Sequence, residues 1–166
     1  MAKEFGVKTI YSDVGAPYLA EKMFAQKEKM ICGGEEVGGI VWPKFSLAKD
    51  GIFATCKFME MVSQKRLSKW FDELPQYYNS KTKIQATKNQ KERVLKSLQS
   101  KADSKKIIPL IGGFRLNLGD SWVLVRASGT EEYIRVFAES RTEEKANRLT
   151  NEYKNLVEQS MDQVKK

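Results

Sequence analysis

The chain contains no histidine, only two cysteines and no long apolar run. No stretch approaches the roughly 20 apolar residues that a membrane-spanning helix needs, and the N-terminus lacks the apolar core of a signal peptide. Cys32 and Cys56 do not share Cys-x-x-Cys spacing, so we expect buried thiols in a reducing cytoplasm rather than a disulfide or a site role. These absences predict a cytoplasmic protein without a membrane partner.

Positive charge is in excess, because the 166 residues carry a net charge of +8. Such an excess raises the hypothesis of nucleic-acid binding. The lysines are nevertheless spread along the chain, with one local cluster at Lys101, Lys105 and Lys106. No aromatic ladder interleaves with that cluster, as a binder of single strands would need. We therefore interpret the cluster as a solvated connection and expect no nucleic-acid partner.

The pattern of the chain changes near residues 72–80, a polar stretch that contains Pro75 and is typical of a domain boundary. Residues 1–74 alternate short strands and helices, which favours α/β structure. We predict strands at residues 8–11 and 29–32. Helices are predicted after Pro17, after Asp50 as N-cap, and around residues 67–74. The helix after Asp50 has an apolar stripe that we expect to face a core: Ile52, Cys56, Met59 and Met61.

Residues 75–166 follow a different order. Period-two alternation and turn signals favour four strands, at residues 83–87, 114–118, 122–125 and 133–138. Helices are predicted at residues 91–98 and from Thr142 to the end, the latter with a capped start. Strand, helix, three strands and helix predict an α+β domain whose mainly antiparallel four-stranded sheet is covered by helices.

The most informative stretch is the decamer at residues 126–135, Arg-Ala-Ser-Gly-Thr-Glu-Glu-Tyr-Ile-Arg. Apolar strand patterns lead in and out, so it predicts a tight loop between two strands. Arg126 offers a planar fork of donors for two phosphate oxygens, and Ser128 and Thr130 add hydroxyl donors. Gly129 permits positive φ, so that backbone N–H groups can converge on one anion. An oxyanion site fits this pattern, and an ordinary turn with a surface arginine is the alternative.

Residues 126–131, together with Ile-Arg-Val-Phe-Ala-Glu at residues 134–139, resemble the phosphate-binding loop of the α-D-phosphohexomutases. These are the phosphomannomutase, phosphoglucomutase and phosphoglucosamine mutase enzymes. The usual loop of that family reads Arg-Pro-Ser-Gly-Thr-Glu-Pro, and here Ala127 and Glu132 replace the prolines without removing a donor. The resemblance implies that four residues bind the phosphate of a phosphosugar: Arg126, Ser128, Gly129 and Thr130.

A second segment, Gly-Gly-Glu-Glu-Val-Gly-Gly at residues 33–39, resembles the sugar-recognition loop of the same family, Gly-Glu-Glu-Ser-Gly. Four glycines predict a loop whose backbone approaches a ligand closely. Paired carboxylates suit adjacent sugar hydroxyls, whereas a solvated acidic turn or half of a metal site are the alternatives. A metal is disfavoured because histidine is absent and no third oxygen ligand stands at a suitable spacing. The resemblance maps Glu35 to the carboxylate that contacts the ring hydroxyls.

Departures from the family pattern concern sugar specificity. Val37 stands where the family usually has serine, and Gly39 where many bacterial members have histidine, which is closer to archaeal members. Residues 6–15 resemble the family's strand and turn before a helix, so the resemblance covers nearly the whole chain. It implies the end of an α/β third domain at residues 1–74 and a complete α+β fourth domain at residues 75–166.

The catalytic parts of that family do not occur in this sequence. Neither its phosphoserine loop, Thr-Ala-Ser-His-Asn-Pro, nor its magnesium loop, Asp-Gly-Asp-Gly-Asp-Arg, is found. The resemblance therefore implies a parent enzyme that interconverts hexose 1-phosphate and hexose 6-phosphate through a bisphosphorylated intermediate. Its Mg²⁺ ligands and its catalytic residues would lie in the missing N-terminal domains, which would be partners of this piece.

We expect the chain alone to bind hexose phosphates, to lack mutase activity and to self-associate through an apolar sheet edge bared around residues 8–11 or 29–32. Two alternatives stay open. One is a stand-alone module that binds phosphate, another anion or nucleic acid without catalysis. The other is a regulatory fragment that pairs with a separate catalytic chain.

Overall fold

The computed structural model describes residues 5–35, 37–101 and 106–164. Contacts between residues divide the chain into two compact units, Met1–Leu74 and Pro75–Lys166. Glu36 and Lys105, which the sequence patterns singled out, lie outside the described residues. Within those residues, no helix is both long and apolar enough to cross a membrane.

The described part of the first unit contains three α-helices, a 3-10 turn at Lys27–Lys29 and a pair of very short strands. Asp50 caps the second helix as predicted, since its carboxylate accepts a hydrogen bond from the Phe53 N–H at 2.7 Å. The strands pair antiparallel, with Gly33 opposite Val41. The elements are α1 (Ala16–Phe24), β1 (Gly33–Gly34), β2 (Ile40–Val41), α2 (Gly51–Gln64) and α3 (Leu67–Asp72).

The strands predicted at residues 8–11 and 29–32 are wrong. Residues 8–11 have no regular structure, and residue 29 belongs to the 3-10 turn. A strand is stabilised by a hydrogen-bonded neighbour, and no described strand pairs with either segment.

The core stripe predicted for α2 is also wrong. No residue of this helix is buried, and Ile52 is 82% exposed while Met59 is 66% exposed. Cys32 and Cys56 are both exposed free thiols rather than buried ones. The small core of the unit consists of Leu19, Met23 and Val41, with Met30 and Leu47 packed against it.

The second unit is a five-stranded antiparallel sheet in the order β3-β7-β6-β5-β4. Three of the four predicted strands lie close to their predicted bounds. The strand predicted at residues 83–87 begins five residues earlier and ends at residue 85, and a fifth strand, β4, extends the sheet. The apolar run at residues 107–111 contains Pro109, which an edge strand tolerates because one side of it needs no ladder partner. The strands are β3 (Tyr78–Gln85), β4 (Ile107–Leu110), β5 (Gly113–Asn117), β6 (Trp122–Ala127) and β7 (Tyr133–Ser140).

Two helices, α4 (Lys88–Lys101) and α5 (Glu143–Val164), pack on one face of this sheet. The Thr142 hydroxyl accepts a hydrogen bond from the Lys145 N–H at 3.3 Å and so caps α5 as predicted. Along β6, Val123 and Val125 are fully buried toward the helices. Trp122, Leu124 and Arg126 alternate with them and lie on the opposite side, which we call the outer face. The buried cluster includes Ile84, Val94, Leu95, Leu98, Phe114, Leu116, Ile134, Val136, Leu149 and Val157.

Candidate phosphate and sugar site

The segment after Ala127 connects β6 to β7 as a tight hairpin, as the sequence predicts. Ala127 pairs with Ile134 in the last rung of the ladder, and the Ser128 N–H continues the pairing by donating to the Tyr133 carbonyl at 2.9 Å. The hairpin therefore presents its loop at the end of two long central strands, which hold both ends of the loop in place.

Hydrogen bonds inside the loop fix its conformation. Ser128 is only 8% exposed, and its hydroxyl oxygen accepts from the Glu131 N–H at 3.2 Å. The hydroxyl proton of Ser128 remains available for donation. The Tyr133 N–H donates to the Glu131 carbonyl at 3.0 Å. Gly129 and Thr130 are exposed at the tip, so the loop combines a fixed base with an accessible tip.

Gly129 has a different role from the one its residue type suggested. It does not adopt a positive φ, so the predicted conformational reason is wrong. A Cβ placed on Gly129 would meet nothing within 4 Å. The absence of a side chain therefore leaves open space beside the loop, into which a ligand can approach the backbone closely.

Arg126 is held by its neighbours in the sheet. It lies opposite Arg135 on β7 and opposite Gly113 on β5. A Cβ on Gly113 would come within 2.3 Å of the Val125 carbonyl oxygen and 2.8 Å of the Arg126 Cα. Only glycine therefore lets β5 approach β6 this closely. The phosphate-loop motif does not include Gly113, and the pair of adjacent glycines before Phe114 was the signal in the sequence that could have indicated it.

Positive charges surround Arg126 on the outer face. The pairing of strands places Lys83 opposite Arg135, which is itself opposite Arg126. The carboxylate of Glu131 accepts hydrogen bonds from the Tyr133 hydroxyl and from the Arg135 guanidinium. The pKa of Glu131 is lowered, first by the Tyr133 hydrogen bond and further by the charges of Lys83 and Arg135. The Glu131 carboxylate is therefore occupied by protein donors.

On the helix side of the loop lies a groove of about 540 Å³. It is formed by one side of α4, the turn before β5 and the loop itself. Arg126 is not among its lining residues, since its side chain leaves β6 on the outer face. The lining includes Lys88, Lys91, Gln99, Gly112, Ser128 and Thr130.

Glu35 lies in the first unit, between β1 and β2. Its carboxylate forms an ion pair with the Lys49 ammonium at 2.7 Å, and its carbonyl accepts from the Gly38 N–H at 3.0 Å. Gly39 has φ of +77°, and a Cβ there would come within 2.6 Å of the Lys49 Cδ. The stem of Lys49 therefore passes over Gly39 to reach Glu35. The spacing of the motif did not indicate this contact between Lys49 and Glu35.

The structure thus brings four of the five candidate residues together in one hairpin, while Glu35 belongs to the other unit. Metal ligands are a separate question. Among the residues that the structure describes, no three His, Cys, Asp or Glu side chains form a group that could hold a metal ion. These residues do not fit a magnesium site.

Models of one enzyme family match both units. Residues 1–78 match the family model described as phosphoglucomutase/phosphomannomutase, alpha/beta/alpha domain III, and residues 80–156 match the C-terminal domain of the same family. The chain therefore belongs to the phosphoglucomutase/phosphomannomutase family, as its two sequence motifs predicted, and it corresponds to the third and fourth domains.

Individual relatives agree with this assignment. A phosphoglucomutase/phosphomannomutase of Thermococcus kodakarensis is 36% identical over 163 residues, which are 97% of this chain and 35% of the relative. A phosphoglucosamine mutase of Methanocaldococcus jannaschii is 33% identical over 96% of this chain and 36% of the relative. The chain thus spans about a third of the length of the curated relatives that it matches.

A solved structure shares the fold. It is a phosphoglucomutase/phosphomannomutase family protein of Burkholderia thailandensis, with a TM-score of 0.75 and 16% sequence identity. The match covers 95% of this chain and 34% of that protein. At this identity the likeness supports the fold alone.

Proposed function

We propose that this chain is the phosphosugar-binding C-terminal portion of a phosphohexomutase, whose parent interconverts hexose 1-phosphate and hexose 6-phosphate through a bisphosphorylated intermediate. The observation that carries the proposal is the hairpin loop of Arg126, Ser128, Gly129 and Thr130, which combines one guanidinium, two hydroxyls and an unobstructed backbone. The relatives include phosphoglucosamine mutases as well as a phosphoglucomutase/phosphomannomutase, so the proposal names the hexose class and not one sugar.

The reaction requires separate groups for the phosphate and for the sugar ring. Each phosphate of the intermediate must occupy one fixed site in turn while the sugar reverses its orientation. Donors that are anchored by two β-strands meet that need, because they keep their positions when the ligand leaves. Glu35, held by Lys49, would bind ring hydroxyls through its remaining acceptor capacity. Phosphoryl transfer itself depends on a nucleophile and a metal ion, which the parent would supply from its N-terminal domains.

A titration of the labelled chain with phosphate or glucose 6-phosphate tests the loop. We expect amide shifts centred on residues 126–131 and a millimolar dissociation constant, which corresponds to about 4 kcal/mol. Arg126→Ala should abolish the shifts, and Arg126→Lys should weaken them because an ammonium lacks the planar fork. Arg141→Ala is the matched control, since Arg141 follows the far end of β7 and stacks on Tyr77. Shifts that persist in Arg126→Ala would remove the basis of the proposal.

The catalytic part of the proposal has its own test. In coupled assays with mannose 1-phosphate and glucose 1-phosphate, the chain alone should give background rates. Turnover that survives repurification and scales with protein concentration would contradict the assignment of catalysis to other domains.

Salt dependence separates this function from binding of a polyanion. A single-phosphate site should show a slope near one in a plot of log affinity against log salt, whereas a nucleic-acid binder shows a slope near the number of phosphates contacted. Two rings of the outer face are already covered by protein cations, Arg115 over Trp122 and Lys83 over Tyr133. These contacts compete with the base stacking that single-strand binders use.

A further inference from the structure

Lys91 connects helix α4 to the hairpin loop. Its ammonium donates hydrogen bonds to the carbonyl of Ser128 at 2.8 Å and to the carbonyl of Glu131 at 2.9 Å. These carbonyls flank the exposed tip of the loop, Gly129 and Thr130. The half-buried Lys91 side chain thus bonds the loop on both sides of its tip, although it comes from a distant part of the sequence. These hydrogen bonds are charge-assisted and therefore stronger than neutral ones.

The two bonds also set the direction of backbone donors. A peptide unit is planar and trans, so its N–H points opposite to its C=O. The Ser128 carbonyl shares a peptide with the Gly129 N–H, and the Glu131 carbonyl shares one with the Glu132 N–H. Because both carbonyls accept from the Lys91 ammonium, both of these N–H groups point away from that ammonium. Arg126 leaves β6 on the face opposite α4, so the guanidinium is also directed away from the helix that carries Lys91.

The backbone around Lys91, at the start of α4, is also held by hydrogen bonds. At the start of α4 the Thr87 N–H and hydroxyl both donate to the Gln90 side-chain oxygen, at 2.9 and 3.0 Å, which supplies one of the two bonds of a capping box. The Ala86 N–H donates to the Glu132 carbonyl at 3.0 Å. The segment immediately before α4 is therefore bonded to the same hairpin that Lys91 contacts. The backbone of Lys91 is fixed by the helix, and its ammonium is fixed by the two loop carbonyls.

We propose that Lys91 is a positioning residue for the phosphate loop, which orients the Gly129 and Glu132 N–H groups toward the anion without contacting it. This inference rests on the proposed function of the loop and adds a residue that the loop motif does not contain. An ammonium suits the task because it has three donors and no acceptor, and it bonds two carbonyls at once.

Matched variants separate positioning from a general effect of charge. Lys91→Met removes the two bonds, and Lys91→Arg keeps a cation that can donate to both carbonyls. Lys96→Met is the control, because Lys96 lines the same groove but pairs with Glu92 on the exposed side of α4. If Lys91→Met does not fold, Lys91→Gln takes its place under the same criteria.

The first measurement needs no phosphate. Hydrogen exchange and ¹⁵N relaxation of the free chain should show faster exchange and more motion at Gly129 and Thr130 in Lys91→Met. The buried Val94 should keep its wild-type protection, Lys96→Met should resemble wild type, and Lys91→Arg should largely restore order. A loop that is as ordered in Lys91→Met as in wild type would overturn the inference, and so would equal loosening in Lys96→Met.

The second measurement is the phosphate titration of the same variants. Loss of two charge-assisted bonds should weaken binding about tenfold in Lys91→Met, with partial recovery in Lys91→Arg and no change in Lys96→Met. Wild-type affinity in Lys91→Met, in a chain whose loop binds phosphate, would also overturn the inference. An absence of shifts at residues 126–131 in the wild type would instead refute the proposed function, whatever the relaxation data show.

Discussion

The two units of the chain bury their apolar residues to very different extents. In the second unit a five-stranded sheet and two long helices enclose a continuous cluster that includes Phe114 and Val125. Among the described residues of the first unit, Leu19, Met23 and Val41 form a small buried cluster, and α2 buries none of its residues. Both units have amphipathic helices, so the difference lies in whether an opposing layer covers the apolar face. An apolar stripe contributes to stability only where such a layer exists.

The candidate residues divide along the same boundary. The phosphate loop is held by central strands of the well-packed unit, whereas Glu35 depends on an ion pair and a glycine in the sparsely packed one. We therefore expect the phosphate loop to be preorganised in this chain and the sugar contact to be more sensitive to its surroundings.

A pair of core and surface variants tests the comparison with the largest effect. Phe114→Ala should lower the free energy of unfolding by about 3–5 kcal/mol, because Phe114 is 1% exposed in the sheet. Ile52→Ala on α2 should change it by less than about 0.5 kcal/mol. Denaturant unfolding of the whole chain measures both. Equal losses in the two variants would show that α2 packs against a core that its exposure does not reveal.

Removal of the sugar-binding carboxylate should have the next largest effect. In the full-length parent, Glu35→Gln should lower kcat/KM for hexose phosphates by roughly 10- to 100-fold, since a hydrogen bond to a charged group is worth about 1.5–3 kcal/mol. Glu28→Gln, an exposed change in the 3-10 turn of the same unit, should leave turnover unchanged. If Glu35→Gln kept the wild-type kcat/KM for every hexose phosphate, Glu35 would be only a structural partner of Lys49. Val37→Ser should be tolerated and should alter sugar preference.

Sequence patterns predicted the second unit better than the first for a physical reason. Period-two alternation and turn residues are local signals, and a long antiparallel sheet is built from local hairpins, so four of its five strands were identified. The strand at residues 107–110 was missed because it carries a proline that only its edge position tolerates. In the first unit, the pattern around Ile52 specified which residues share a face of α2 but could not specify whether anything covers that face.

The candidate site shows the same limit. The motif identified the loop residues because they are contiguous in sequence. Lys91, by contrast, contacts the Ser128 carbonyl across 37 positions of sequence, and Lys49 contacts Glu35 across 14. Such contacts depend on how helices are placed on strands, which no local spacing encodes. Gly113 is a similar case, because its requirement for glycine arises from a neighbouring strand.

Self-association should sharpen the comparison with a smaller effect. The exposed stripe of α2, which includes Ile52 at 82% and Met59 at 66% exposure, forms an apolar surface that favours contact between copies. We expect concentration-dependent association in sedimentation, weakened about tenfold by Ile52→Glu, which removes one apolar side chain from the contact. Ile111→Glu, at an exposed turn of the second unit, should leave association unchanged. If the chain stayed monomeric at high concentration, this surface would not mediate self-association.

The smallest expected effect comes from two glycines, one in each unit. Gly39→Ala combines an unfavourable positive φ with a Cβ that would lie 2.6 Å from the Lys49 Cδ, so it should displace Lys49 and destabilise the chain by about 1 kcal/mol. Gly129→Ala has neither problem, because its φ is not positive and its Cβ would meet nothing within 4 Å. It should leave stability unchanged or raise it by about 0.4–1 kcal/mol through the unfolded state.

For phosphate binding we expect the larger loss in Gly129→Ala, whereas for stability we expect it in Gly39→Ala. The space that a Cβ would fill at Gly129 lies beside the loop, so Gly129→Ala should weaken phosphate binding, whereas Gly39→Ala, in the other unit, should not change it. Thermal unfolding measures the stability of Gly39→Ala and Gly129→Ala, and the phosphate titration measures the affinity of each. If Gly129→Ala binds phosphate as well as wild type, the ligand does not occupy the open space beside residue 129. Alanine keeps the backbone N–H of residue 129, so this outcome would concern only the space beside the loop, and the inferred role of Lys91 in directing that N–H is tested by Lys91→Met instead.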